Sequence, residues 1–93
     1  MLNESIKKLV TYGMKTGLVP ECERNYTINL LLDLFHQDDY EEPQEEYTNV
    51  DLESTLKELL DEAVTRGIIE DSIVSRELFD TKIMNCLMPR PAQ

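Results

Sequence analysis

Ninety-three residues are enough for one small domain, which buries only about 60–65% of the surface its unfolded chain exposes. Nine basic against nineteen acidic residues give a formal charge of −10. A field of that sign repels phosphate backbones and anionic lipid, so nucleic acid and membrane surfaces are excluded as expected partners.

No run of apolar residues reaches the length of a membrane span. Met1-Leu2-Asn3-Glu4-Ser5 lacks the basic stretch and apolar core of a signal peptide, so the expected location is cytoplasmic. Cys22 and Cys86 have no second Cys or His at ligand spacing. They are expected to be reduced, partly buried thiols.

The first helix is predicted over 3–16. Asn3 or Ser5 serves as its cap, with Glu4 at its positive end. Ile6, Leu9, Val10 and Met14 share one face at helical spacing. Gly13 weakens the interior by about 1 kcal/mol and points to close packing there. Gly17 is the left-handed cap. Leu18 and Val19 turn inward, and Pro20-Glu21 opens a second helix, which carries Thr27, Leu30, Leu31, Leu34 and Phe35 to about His36.

Eight of the sixteen residues from Asp38 to Glu53 are acidic, with Pro43 among them. Residues 37–48 therefore read as a solvated, mobile connection, tacked down by Tyr40 and Tyr47. The third helix starts near Asn49 or Asp51 and runs to Arg66. It buries Leu52, Leu56, Leu59, Leu60, Ala63 and Val64, and Gly67 ends it. Asp71, Ser72 and Ser75 are candidate caps for the fourth helix, whose Ile73, Val74, Leu78, Phe79, Ile83, Met84 and Leu87 cover more than one face. Such a helix expects burial on several sides. Pro89 and Pro91 end it.

The second half echoes the first. Ile6-Lys7-Lys8-Leu9-Val10 and Lys15-Thr16-Gly17-Leu18-Val19 return as Leu56-Lys57-Glu58-Leu59-Leu60 and Thr65-Arg66-Gly67-Ile68-Ile69. The expected fold is all-α: a helical hairpin over 3–36, the acidic linker 37–48, a second hairpin over 49–88 and a tail at 89–93. Packing as a bundle or as a more open, winged-helix-like arrangement stays open.

Candidate chemistry is sparse. His36 is the single histidine; although Asp38 and Asp39 are near enough in sequence to orient a general base, its position at a helix end assigns it to capping. The acidic run lacks the turn glycine of a calcium loop and is broken by Pro43. Arg24 and Arg76, near the starts of the second and fourth helices, are candidate phosphate grips, but intramolecular ion pairs suit them better among so many carboxylates. No Gly-rich phosphate loop or nucleophile elbow occurs. The expectation is no catalytic residue, no metal ligand and no cofactor in this stretch, with substrate-binding residues unassigned.

Longer strings carry a resemblance. Residues 9–19 (Leu-Val-Thr-Tyr-Gly-Met-Lys-Thr-Gly-Leu-Val), Asn29-Leu30-Leu31-Leu32-Asp33 and Gly67-Ile68-Ile69-Glu70-Asp71-Ser72 resemble the opening segment of class II bacterial galactose-1-phosphate uridylyltransferases. The most specific part is Leu78-Phe79-Asp80-Thr81-Lys82-Ile83-Met84-Asn85-Cys86-Leu87-Met88-Pro89-Arg90-Pro91. The resemblance spans essentially the whole chain. It implies a Leloir-pathway enzyme that converts UDP-glucose and galactose 1-phosphate to glucose 1-phosphate and UDP-galactose. In the wider family a histidine attacks the α-phosphorus and carries the uridylyl group covalently, which splits one displacement into two. His36 does not match that motif, so no catalytic or substrate-binding residue is carried over. The resemblance implies an N-terminal helical portion, inactive by itself, whose partner is the remainder of the same enzyme chain. The other reading is a self-contained acidic interaction module, docking through an exposed apolar face near Ile83 and Leu87.

Overall fold

A computed structural model of the chain describes residues 1–88. Four helices follow in order: α1 (Leu2–Lys15), α2 (Arg24–Leu34), α3 (Leu52–Thr65) and α4 (Ile73–Leu87). A single 3₁₀ turn, Glu21–Glu23, leads into α2. Among the described residues there is no strand, so the fold is all-α as expected. The tail at 89–93, with the helix-ending roles of Pro89 and Pro91, lies outside the described residues.

The repeat is structural. α1 and α3 are both 14 residues long and start at Leu2 and Leu52, so equivalent positions differ by fifty. Both bury a small hydroxyl near the start (Ser5 and Thr55), a leucine one turn on (Leu9 and Leu59), and a small residue after that (Gly13 and Ala63). Each helix then closes with a glycine in the left-handed region, Gly17 at φ 82° and Gly67 at φ 74°. The Ile68 amide bonds the Ala63 carbonyl at 2.9 Å, whereas in the first copy it is Val19 that reaches Gly13, at 3.0 Å. Val19 can do so because Gly13 has no side chain. A β-carbon there would stand 2.7 Å from Val19 Cγ2 and 3.3 Å from Leu87 Cδ2.

Helix α1 packs on α2 and α3, α2 on α4, and α3 on α4, which closes a ring of four around one core. Ile6, Leu9, Leu31, Leu59 and Ile83 are completely sealed there. Each such side chain is worth about 1.5–3 kcal/mol relative to exposure. Phe35 and Phe79 meet edge to face between the end of α2 and α4, 5.4 Å between ring centres, a geometry that adds about 0.5–1.5 kcal/mol beyond burial.

Several expectations are corrected. Neither Asn3 nor Ser5 caps α1: the helix starts at Leu2, with the Met1 ammonium 2.5 Å from the Glu4 carboxylate. The inward stripe of α2 is Thr27, Ile28, Leu31 and Leu32, continued by Phe35, while Leu30 and Leu34 are only half-buried. On α3 only Thr55, Leu59 and Ala63 are sealed; Leu52, Leu56, Leu60 and Val64 are half-buried, because α1 covers one side of the predicted stripe. Cys86 is buried, with its thiol directed at the Lys82 carbonyl, but Cys22 is exposed on the 3₁₀ turn. Asp51 caps α3 through the Ser54 amide at 3.2 Å, and Ser72 caps α4 through the Ser75 amide at 3.1 Å.

Candidate functional site

Four basic side chains, Lys7, Lys8, Lys15 and Arg24, reach the acidic segment. No helix forms between Phe35 and Asp51, and that stretch lies along α1. The Lys7 ammonium, on a side chain only 8% exposed, donates to the Pro43 carbonyl at 2.7 Å and stands 3.8 Å from Glu46. Lys8 sits 5.4 Å from the centre of the Tyr47 ring and 3.5 Å from Glu58 of α3. Lys15 donates to the Thr48 carbonyl, and Gln37 to Asn3 Oδ1 at 3.1 Å. The connection is solvated along most of its length, as expected, and is also tied down as a strap where α1 turns its lysines toward it.

A second knot ties the strap to α2. Arg24 pairs with Glu42, whose other oxygen accepts the Tyr40 hydroxyl at 2.5 Å. Burial, then the Glu42 carboxylate, pushes the Tyr40 phenol above its usual range. Burial works against Glu42 ionisation, yet hydrogen bonds from Tyr40 and Arg24 hold its carboxyl below the ordinary value. Both tyrosines expected to tack the segment do so, Tyr40 against the core and Tyr47 beside the α1 lysines.

His36 stands exposed just past α2 at φ 53°, the left-handed position that usually takes glycine. Its amide bonds the Asp33 carbonyl at 3.1 Å, and the next amide, of Gln37, bonds Leu32 at 3.0 Å. The cap is therefore made by backbone. Arg76 bridges Asp71 at 2.9 Å and Asp61 at 3.0 Å, which joins α4 to α3, and Arg66 pairs with Glu62 at 2.9 Å. Six of the nine Lys and Arg residues thus have carboxylate or carbonyl partners within the chain. Among the described residues, no three of His, Cys, Asp or Glu converge as a metal site, and no helix is long and apolar enough to cross a membrane.

What the surface does offer is apolar. The expected docking face near Ile83 and Leu87 is not one: Ile83 is fully buried and Leu87 is 1% exposed. They form the inner side of α4 together with Phe79 and Cys86. Within α4 the exposed large apolar side chains sit at the other end, Ile73 at 77%, Val74 at 66% and Leu78 at 63%, while Met88 is exposed just past its C-terminus. Leu78 borders an open groove of about 300 Å³ lined also by Ile68, Ile69, Glu70, Ser75, Phe79 and Lys82. The recognisable Phe-Asp-Thr-Lys string divides accordingly. Phe79 enters the core, Asp80 is half-buried, and Thr81 and Lys82 face solvent.

No family model matches the chain, and no solved structure matches it. Curated proteins do. The chain is 63% identical over 93 residues to galactose-1-phosphate uridylyltransferase of Butyrivibrio fibrisolvens, covering all of this chain and 24% of that protein. It is 42% identical over 95 residues to the protein of the same name from Clostridium acetobutylicum, covering 19% of it. The Clostridium perfringens strain 13 protein of that name is 34% identical over 91 residues, 98% of this chain and 18% of that protein. The chain is thus homologous throughout to a portion of these proteins, and spans about a quarter or less of their length.

Proposed function

We propose that the chain is the N-terminal helical part of a galactose-1-phosphate uridylyltransferase, and that it supports the catalytic remainder without performing the chemistry. The observation that carries this reading is the match to the Butyrivibrio fibrisolvens protein, 63% identical with every residue of the chain included and only 24% of that protein used. The reaction proposed for the whole enzyme is exchange of a uridylyl group between UDP-glucose and galactose 1-phosphate, with glucose 1-phosphate and UDP-galactose as products.

The internal use of charge agrees with a supporting role. Binding a nucleoside diphosphate sugar calls for cations or backbone amides presented outward. Here Lys7, Lys8, Lys15 and Arg24 are committed to the strap, and Arg66 and Arg76 to the helix ends. The single histidine is a helix-end residue, held in place through its backbone.

Replacing the matched segment of the Butyrivibrio fibrisolvens protein by this chain tests the proposal. The hybrid is expected to form UDP-galactose from UDP-glucose and galactose 1-phosphate, while the 93-residue chain alone forms none above a mock preparation. A folded but inactive hybrid, or turnover by the isolated chain, contradicts it.

A further inference from the structure

Single exposed apolar residues are normal on a protein surface, but those of α4 are grouped. Ile73, Val74 and Leu78 lie within the first two turns of the helix, and Val74 and Leu78, one turn apart, share a side of it. Beside them Ile68 and Ile69 stay half-buried in the groove that Leu78 borders.

Comparison with the first copy of the repeat shows what is missing. There the second residue of the inward pair, Val19, is 4% exposed and lies close over Gly13, where Leu87 also reaches. In the second copy it is Ile68, bonded to Ala63, that closes the turn after Gly67, and the four-helix ring leaves both Ile68 and Ile69 partly open. The second hairpin turn therefore lacks the full lid of the first.

We infer that the groove between the Ile68-Ile69 turn and α4, bordered by Leu78 and extended by Val74 one turn before it on the same side of the helix, seats an apolar segment from the remaining part of the uridylyltransferase polypeptide. This rests on the functional reading above. The occupant follows from length and charge. In the Butyrivibrio fibrisolvens relative about three-quarters of the polypeptide lies outside the matched part, so protein to fill the groove belongs to the same chain. A second copy of this chain fits poorly. Two-fold pairing would bring together two molecules each at −10, and a net charge that far from zero keeps copies apart. The favoured occupant is apolar at its centre, with a basic residue to meet Glu70 and an acidic one to meet Lys82 at its edge.

The test is alkylation of the Val74→Cys variant by iodoacetamide, read peptide by peptide so that Cys22 and Cys86 are scored separately from the introduced thiol. It is done on the 93-residue chain and on the full-length hybrid. Val74 is 66% exposed, so the substitution leaves the core untouched. Rapid labelling at position 74 in the isolated chain and labelling at least tenfold slower in the hybrid is the expected result. Equal rates in the two overturn the inference. So does slow labelling of the isolated chain that speeds up on dilution, which assigns the face to a second copy. UDP-galactose formation by the same hybrid is scored independently. An active hybrid labelled at position 74 as fast as the isolated chain removes the docking face and leaves the enzyme reading standing. An inactive hybrid in which the introduced thiol is protected does the reverse.

Discussion

Val19 Cγ2 lies 2.7 Å from the point where a β-carbon on Gly13 would stand. That approach lets the first hairpin turn lie flat on α1 and brings Leu87, from the far end of α4, onto the same spot. One missing side chain thus joins the first turn of the fold to its last described helix.

Alanine at position 13 sets two effects against each other. It removes a helix-interior glycine, worth about 1 kcal/mol, but places a methyl where Val19 already is. Overpacking of this kind costs about 1–3 kcal/mol. Val19 is β-branched and 4% exposed, so it cannot swing aside. Gly13→Ala is expected to lower the urea midpoint with an unchanged slope, and adding Val19→Ala to recover part of the loss. A raised midpoint in the single variant contradicts this packing.

His36 holds a backbone that glycine would adopt freely. A non-glycine residue in the left-handed region costs about 1–2 kcal/mol, partly offset by the greater freedom of glycine in the unfolded chain. His36→Gly is therefore expected to stabilise the chain by about 0.5–1 kcal/mol, and Gly17→Ala or Gly67→Ala to destabilise it by a similar amount. Thermal melts of the three variants check both signs.

Lys7 is the buried anchor of the strap. A hydrogen bond to a charged group contributes about 1.5–3 kcal/mol, and Lys7→Met removes the one to Pro43 while keeping the aliphatic stem. The expected consequence is local: faster proteolytic cleavage between residues 37 and 48, with the helical circular dichroism retained. Cleavage at the wild-type rate would show that the strap is held without Lys7.

The second strap contact is sensitive to pH. Glu42 has its carboxyl held below the ordinary 4.5, against the effect of burial, by Tyr40 and Arg24. Its contribution to stability is therefore complete above about pH 4.5 and lost as pH falls through the lower, folded value. Wild type is expected to melt above Glu42→Gln at neutral pH, with the gap closing in acid below the carboxylate range. A gap that stays constant through that range would place the difference outside this titration.

Much of the helical frame can be read from residues alone because it depends on local rules. Gly17 and Gly67 end helices where left-handed backbone is needed, Ser72 and Asp51 cap where their side chains reach an amide, and the fifty-residue echo appears as two helices of equal length. The direction in which α4 faces is not local. Its apolar residues surround the helix, so periodicity does not distinguish Ile83 and Leu87, which are sealed, from Val74 and Leu78, which are exposed. Packing against α2 through Phe35 and Phe79 makes that choice. The strap's tethering is hidden for the same reason: a solvated run of carboxylates reads as free until Lys7, Lys8 and Lys15 are seen on the face it crosses.

The central claim is that this segment works as part of a longer uridylyltransferase. The mass of the polypeptide in its source cells, read by immunoblot against this segment, tests it most directly. Coverage of 24% and 19% of two relatives predicts a band at roughly four to five times 10.8 kDa. A band at 10.8 kDa itself would contradict that claim and leave an acidic helical module acting on its own.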